Sequence, residues 1–162
     1  MNLKNMRWVP LILLIMCGCA AGTVVPDQSS VSTALSGLIA PSDRIPRITI
    51  DELLWKMSNG ADIMIIDSRT DVGQQFESGH IKGAIPVPLV EITEGRWIPP
   101  ADLNKEIVFY CSCPNDKTSA TAALELIGRG YTSVSALKGG YNAWKEAGYP
   151  LETGPARDGK SY

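Results

Sequence analysis

Short apolar runs alternate with segments of helical periodicity over most of the chain after residue 47. Residues 63–66 and 107–110 are continuous apolar runs, and residues 134–137 form a third, mostly apolar run. Such runs are typical of parallel strands, because a strand that is covered on both faces meets no water. Strands that alternate with helices predict an α/β domain with a mainly parallel central sheet flanked by helices.

Helix signals stand before and after these runs. Thr49 and Glu52 have the spacing of a capping box, which predicts a helix that ends near Gly60. A second helix is predicted over residues 118–127, where Gly130 can end it. Its predicted apolar face consists of Ala120, Ala123, Leu124 and Ile127.

The remaining segments give weaker signals. Residues 71–78 are compatible with a short helix, and residues 141–147 predict a final helix that carries Trp144. Two prolines confine residues 85–88 to a short or edge strand, since proline donates no ladder hydrogen bond. Between residues 89 and 100 the predicted apolar anchors are Val90, Ile92 and Trp97.

The first residues have the pattern of a targeting segment. Lys4 and Arg7 precede an apolar run over residues 8–16, and small residues follow it. This order is typical of a signal peptide, predicted here over residues 1–18. The apolar run is short for a membrane-spanning helix.

The segment 16–19, Met-Cys-Gly-Cys, resembles a bacterial lipobox. The resemblance implies that Cys19 becomes the lipidated first residue, while Cys17 leaves with the signal peptide. Ala20 follows instead of an aspartate, which resembles lipoproteins bound for the outer membrane and facing the periplasm. A tether is predicted over residues 19–46, a folded domain over 47–153 and a polar tail over 154–162.

Composition narrows the function classes. The net charge of −2 comes without a basic patch, so no nucleic-acid partner is predicted. His80 is the only histidine, which excludes a His-rich metal site. The four cysteines form two C-x-C pairs, a pattern that indicates neither a disulfide framework nor a zinc ribbon. No metal and no cofactor is expected.

Cys111 is the leading candidate for chemistry. It directly follows the apolar run 107–110 and precedes a turn-forming stretch and a predicted helix. Free backbone N–H groups and the helix dipole at such a place favour anions and thiolates. A nucleophilic cysteine is therefore predicted, with a compact buried cysteine that only caps the strand as the alternative.

Several motifs occur in one order along the chain. They are Asp67-Ser68-Arg69, Gly79-His80-Ile81-Lys82-Gly83-Ala84, the run ending in Cys111, Leu137-Lys138-Gly139-Gly140 with Trp144, and Gly148-Tyr149-Pro150. Together they resemble a rhodanese domain, over roughly residues 47–152. The resemblance implies a sulfurtransferase, in which a loop cysteine takes sulfane sulfur from a thiosulfate-like anion, becomes a persulfide and passes the sulfur to a thiol or other thiophilic acceptor.

The loop departs from the family pattern. It is longer than usual, and Thr118 stands where the family has an arginine, which also argues against the related phosphatases. Counting back from Ser119 selects Cys113 as the nucleophile, whereas counting forward from the strand selects Cys111. The strand is the firmer reference, so Cys111 is predicted as catalytic and Cys113 as a second thiol. Anion-binding residues are predicted at Ser112, Asn115, Asp116, Lys117, Thr118 and Ser119.

Three other residues are predicted to support the loop. Asp67 and Arg69 are expected to pair at the strand end, with direct anion contact by Arg69 as the sharper hypothesis. His80 is expected to pack and not to catalyse. Two other functions stay open: a thiol–disulfide redox protein that uses Cys111 and Cys113, and a non-catalytic anchored binding module, which the missing loop arginine suggests.

Overall fold

The structure, a computed structural model, describes residues 44–156. The predicted signal peptide, the lipidation site Cys19 and most of the tether and tail lie outside these residues. Ile45 is buried in the core, and the Gly154 N–H donates to the Glu77 carbonyl at 2.8 Å. Residues on both sides of the predicted 47–153 segment therefore pack against the domain.

Five parallel strands form the central sheet, in the order β1-β6-β5-β2-β4. They are β1 (Arg47–Ile48), β2 (Ile63–Asp67), β4 (Ile85–Pro86), β5 (Glu106–Tyr110) and β6 (Val134–Leu137). A separate antiparallel pair joins β3 (His80–Ile81) to β7 (Leu151–Glu152). The predicted α/β class and mainly parallel sheet are confirmed, and β4 is an edge strand as its prolines require.

Five helices lie within the described residues. They are α1 (Ile50–Ser58), α2 (Val72–Ser78), α3 (Leu89–Thr93), α4 (Lys117–Gly128) and α5 (Gly140–Glu146). The Glu52 N–H donates to Thr49 Oγ1 at 3.2 Å, which confirms the predicted N-cap of α1. None of these helices is long and apolar enough to cross a bilayer.

The core has two layers, one on each face of the sheet. Ile107 and Phe109 of β5 pack into the layer with α3 and α4, whereas Val108 and Tyr110 pack into the layer with α1, α2 and α5. Successive side chains of a strand point to opposite faces, which explains the alternation. Both faces of β5 are thus covered, as its continuous apolar run predicts.

Two details of the predicted core are wrong. Leu124 is 37% exposed and Val90 is 46% exposed, whereas Leu126 and Ile92 are fully buried. Helix α4 also begins at Lys117, one residue earlier than predicted. Its rotation places Ser119 and Leu126 inward, two turns apart, because the helix has to pack on the sheet and on α3 together.

Candidate active site

The ends of two neighbouring strands bring the predicted site residues together. Asp67 of β2 lies beside Tyr110 of β5 in a parallel register, so the residues after both strands emerge at one edge of the sheet. The N–H and the Oγ of Ser68 donate to the Tyr110 carbonyl at 3.0 and 2.8 Å. These two hydrogen bonds attach the segment after β2 to the peptide that leads into Cys111.

The start of α5 closes over Cys111 from the other side. The Tyr141 N–H donates to the Cys111 carbonyl at 2.9 Å. A Cβ on Gly140 would lie 2.1 Å from that carbonyl oxygen, and Gly140 has a φ of +55°. Only glycine fits there, because any side chain would collide with backbone. Cys111 itself is 2% exposed.

Asp116 shapes the far end of the loop. It adopts a left-handed conformation with a φ of 53° at the N-terminus of α4. Its Oδ2 accepts from the Gly139 N–H at 3.3 Å, and its carbonyl accepts from Ser119 Oγ at 3.0 Å. Its buried Oδ1 has no hydrogen-bond partner within residues 44–156. The carboxylate thus connects the cysteine loop to the turn before α5.

The two loop thiols are in contact. Cys111 Sγ and Cys113 Sγ lie 2.6 Å apart, and both cysteines are free. The Thr118 N–H donates to Cys113 Sγ at 3.5 Å, and Cys111 Sγ lies 3.6 Å from Ser119 Oγ. The N-terminal turn of α4 therefore faces both sulfurs.

Their surroundings make the two thiols unequal. Burial raises the pKa of Cys111, and its interaction with Cys113 adds to the rise. Burial also works against ionisation of Cys113, but its contacts with Cys111, Thr118 and the Lys117 backbone lower its pKa below the usual value. Cys113, which is half-buried, is therefore the thiol that ionises first.

A buried ion pair stands beside the thiols. Arg69 Nε donates to Asp67 Oδ1 at 2.9 Å, and Arg69 Nη2 donates to the Gly79 carbonyl at 2.9 Å. The guanidinium lies over the ring of Tyr141, 4.4 Å from its centroid. Burial opposes the charge, but hydrogen bonding and attraction to Asp67 raise the pKa of Arg69, so it stays a cation. The predicted pair is present at the strand end.

Arg69 and both thiols line one cavity. It has a volume of about 180 Å³ and is lined by Arg69, Thr70, Gln75, Cys111, Ser112, Cys113 and Thr118. Within the described residues, the hydrogen bonds of the guanidinium use Nε and Nη2, and Nη1 makes none. The cavity therefore combines a cationic side chain with two thiols, one of which accepts a backbone N–H.

The other predicted loop residues have different positions. Ser112 and Thr118 line the cavity, and Ser119 touches Cys111 from a buried position. Asn115, Asp116 and Lys117 lie outside the cavity lining, with Asn115 and Lys117 exposed. Lys117 is the first residue of α4 and not part of the preceding loop.

His80 lies elsewhere, in β3. Its ring stacks on Phe76 with the centroids 3.6 Å apart, and its Nδ1 donates to the Phe76 carbonyl at 2.8 Å. Its Nε2 lies 3.9 Å from a Glu152 oxygen in β7. These contacts hold α2, β3 and β7 together, and His80 is not among the residues that line the cavity.

Some site residues carry no clear signal in the sequence. Thr70 and Gln75 are ordinary polar residues that line the cavity, Thr70 from the segment after β2 and Gln75 from α2. Asn142 donates to the Ser112 carbonyl at 3.1 Å from the next helix. The glycine pair 139–140 at the start of α5 is the one available signal, since it belongs to the motif Leu137-Lys138-Gly139-Gly140 and glycine permits close backbone approach.

Within residues 44–156 no group of three or more His, Cys, Asp or Glu side chains is arranged to hold a metal ion.

The chain resembles known proteins both in sequence and in structure. The family model of the rhodanese-like domain matches residues 50–147. The thiosulfate sulfurtransferase GlpE of Pseudomonas aeruginosa is 31% identical over 112 residues, which are 69% of this chain and 94% of that protein. GlpE of Pseudomonas syringae is 36% identical over 80 residues, 49% of this chain and 71% of that one. The rhodanese-like domain of the Anabaena Alr3790 protein superposes with a TM-score of 0.56 at 26% identity, covering 72% of this chain and 85% of that one.

Proposed function

Because the chain belongs to the rhodanese-like domain family, we propose that it is a sulfurtransferase that carries sulfane sulfur as a cysteine persulfide. The observation that carries the proposal is the cavity whose lining includes both a thiol of lowered pKa, Cys113, and a buried arginine, Arg69. A thiolate is the nucleophile of such a reaction, and the cation favours the approach of a sulfur-containing dianion.

The reaction balances without a cofactor. A cysteine thiolate attacks the outer sulfur of thiosulfate, the S–S bond of thiosulfate breaks, and sulfite leaves with both bonding electrons. The enzyme then holds a persulfide anion. A thiophilic acceptor such as cyanide or a thiolate takes the outer sulfur and restores the cysteine thiolate. No proton has to move in the first step, so the distance of His80 from the cavity is no obstacle.

Two observations support Cys113 as the thiol that first accepts the sulfur. It is half-buried and lines the cavity, whereas Cys111 is 2% exposed. Its sulfur also accepts the Thr118 N–H at the start of α4, as a thiolate at a helix N-terminus would. The sequence alone points to Cys111 through the strand end, and the helix start points to Cys113.

The same cavity contains a cation that can replace the arginine missing from the loop. Arg69 approaches from the end of β2 and lines the cavity beside both thiols. A cation that comes from another element supplies the charge that the loop itself lacks, because charge and not chain position attracts the anion. This supports an active enzyme over a non-catalytic binding module.

The test is sulfur transfer from thiosulfate to cyanide, followed as thiocyanate and sulfite. Mass spectrometry after thiosulfate alone should find one added sulfur atom on a peptide that contains residues 111 and 113. Cys113→Ser should load no sulfur. If Cys113→Ser loads normally and Cys111→Ser does not, the assignment within the loop is wrong while the function stands.

Thiol–disulfide exchange is the second candidate, favoured by the 2.6 Å contact between the two sulfurs. A redox protein of this kind would reduce or oxidise dithiols without consuming thiosulfate. Sulfite release therefore separates the two functions, because only sulfur transfer produces it.

The proposal extends to the place of action. The basic start, the apolar run and Cys19 support a lipid-anchored domain outside the cytoplasm, facing the periplasm if the cell has two membranes. The stretch 19–46, rich in small and polar residues, would then be the spacer between lipid and domain.

A further inference from the structure

Sulfur transfer through a single cysteine does not require a second thiol in contact with the first, yet the loop has one. A persulfide carrier needs one nucleophilic sulfur, since donor and acceptor use it in turn. Here a second thiol, Cys111, lies with its sulfur 2.6 Å from Cys113 Sγ. Both thiols are free and both line the cavity. Cys111 is thus placed to react with whatever forms on Cys113.

Resting on the sulfurtransferase function proposed above, we propose that Cys111 is a resolving thiol that attacks the Cys113 persulfide, releases hydrosulfide and leaves a Cys111–Cys113 disulfide. The loop then has a second activity besides transfer to an acceptor: it reduces sulfane sulfur to sulfide. The co-reactant of this activity is an external dithiol, which reduces the disulfide and restores both cysteines.

Atoms and electrons balance in the resolving step. A bond forms between Cys111 Sγ and Cys113 Sγ while the bond from Cys113 Sγ to the outer sulfur breaks. Both electrons of the broken bond leave with the outer sulfur, and the proton of the Cys111 thiol ends on it. One persulfide anion and one thiol become one disulfide and one hydrosulfide ion. In this step the outer sulfur is reduced and the Cys111 sulfur is oxidised; over loading and resolution together, two thiols become a disulfide and one sulfane sulfur becomes sulfide.

The geometry selects the inner sulfur as the atom attacked. Cys111 Sγ touches the Cys113 sulfur itself, and Cys113 lines the cavity, which has room for the outer sulfur of a persulfide. Hydrosulfide is a good leaving group for thiol–disulfide exchange, because the thiol of lower pKa leaves faster. The chain bends at Ser112 and Cys113, as a bond between cysteines two residues apart requires.

Burial gives the two thiols separate tasks. Cys111 is 2% exposed, with the start of α5 against its carbonyl, so external donors and acceptors reach Cys113 instead. The raised pKa of Cys111 keeps it protonated while the donor reacts with Cys113. A thiol of higher pKa is also the stronger nucleophile once its proton leaves, which favours attack on the adjacent persulfide.

The experiment uses the full chain with Cys17→Ala and Cys19→Ala, so that the only thiols are Cys111 and Cys113. The reduced protein is mixed with thiosulfate without acceptor or reductant. Sulfite, sulfide and the intact mass are measured. We expect sulfide in equal amount to sulfite, and a protein lighter than the reduced form by two hydrogen atoms that resists alkylation. Adding a dithiol should restart turnover.

Cys111→Ser in the same background should release sulfite once, hold one added sulfur and yield no sulfide until a dithiol is added. Cys111→Ala is the second variant, and the measurements on the parent protein decide the matter even if neither variant folds. A parent protein that holds a stable persulfide would overturn the resolving role. So would the reverse pattern, in which Cys113→Ser loads sulfur and Cys111→Ser does not.

A second arm makes the test independent of thiosulfate turnover. Inorganic polysulfide adds sulfane sulfur to an accessible thiol without catalysis, and desalting removes the excess. The polysulfide-loaded parent should then release sulfide and form the disulfide, whereas a persistent persulfide refutes the resolving role. Absence of sulfite in the thiosulfate arm counts against the proposed function alone.

Discussion

At the scale of single residues, Arg69 carries a buried charge that needs a charged partner. Its ion pair with Asp67 is buried, with the two side chains 5% and 0% exposed. Arg69→Ala should lower the free energy of unfolding by about 3–5 kcal/mol, because it leaves a buried carboxylate without its partner. Urea denaturation measures the change.

The matched control is Arg96→Ala. Arg96 also pairs with a carboxylate, Glu91, at 2.7 Å, but its side chain is half exposed. An exposed pair contributes little, so the urea midpoint should hardly move. Equal effects of the two substitutions would contradict the structural role of the Asp67–Arg69 pair.

The lowered pKa of Cys113 predicts a pH profile. The thiolate is the reactive form, so sulfur loading should rise with pH and reach its plateau at a lower pH than an ordinary cysteine would. Loading falls as the pH drops through that pKa, because the thiol is then protonated. The rate of sulfite release against pH measures the midpoint.

Thr118 and Thr121 provide the matched pair for this profile. Thr118 Oγ1 lies 3.6 Å from Cys113 Sγ. Thr121 stands about one turn further along α4, and its Oγ1 donates to the Lys117 carbonyl instead. Thr118→Val should move the midpoint to higher pH, and Thr121→Val should leave it in place. A midpoint that ignores Thr118→Val would remove that hydroxyl from the stabilisation of the thiolate.

Lys117 is predicted to act through long-range charge. Its side chain is exposed at the start of α4, outside the cavity lining. Lys117→Ala should raise the apparent KM for thiosulfate roughly threefold at low ionic strength and weaken its salt dependence, with less effect on kcat. Lys105→Ala is the matched control, because it removes the same charge at the opposite end of β5, where Lys105 pairs with Asp62. An unchanged KM in the Lys117 variant would make this residue a solvated surface charge.

At the scale of elements, the contact between the start of α5 and the end of β5 decides the position of the loop. A Cβ on Gly140 would lie 2.1 Å from the Cys111 carbonyl oxygen. Gly140→Ala should therefore displace α5 or the loop, lower the free energy of unfolding by more than about 2 kcal/mol and reduce sulfur loading.

Gly148 isolates the steric part of that effect. It also has a positive φ, +71°, but a Cβ there meets nothing within 4 Å. Gly148→Ala should cost only the backbone strain, about 1 kcal/mol, and leave sulfur loading intact. Urea denaturation of both variants makes the comparison, and a similar loss at both glycines would show that the contact with Cys111 matters little.

At the scale of the whole molecule, the N-terminal cysteines predict how the domain is anchored to a membrane. Cys19 follows Gly18 at the end of an apolar run of signal-peptide length. Cys19→Ala should abolish labelling by radioactive palmitate and leave the precursor unprocessed, whereas Cys17→Ala should be neutral. A mature chain that begins well after Cys19 and carries no lipid would contradict the anchor.

The sequence by itself determines the α/β class, the capped helix α1 and the cysteine loop at a strand end. These features follow from patterns between near neighbours: continuous apolar runs for covered strands, and Thr49 with Glu52 for a helix start. The pairing of Asp67 with Arg69 is predictable for the same reason, since the two residues are close in the chain.

Only the tertiary structure decides which thiol is accessible and which cation faces it. Cys111 is 2% exposed with the start of α5 against its carbonyl, and Arg69, which follows β2, lines the same cavity as both thiols. The inward turn of Leu126 in place of Leu124 likewise depends on how α4 packs on the sheet. Contacts between residues tens of positions apart arise from strand order and close packing, and no local pattern in the chain encodes them.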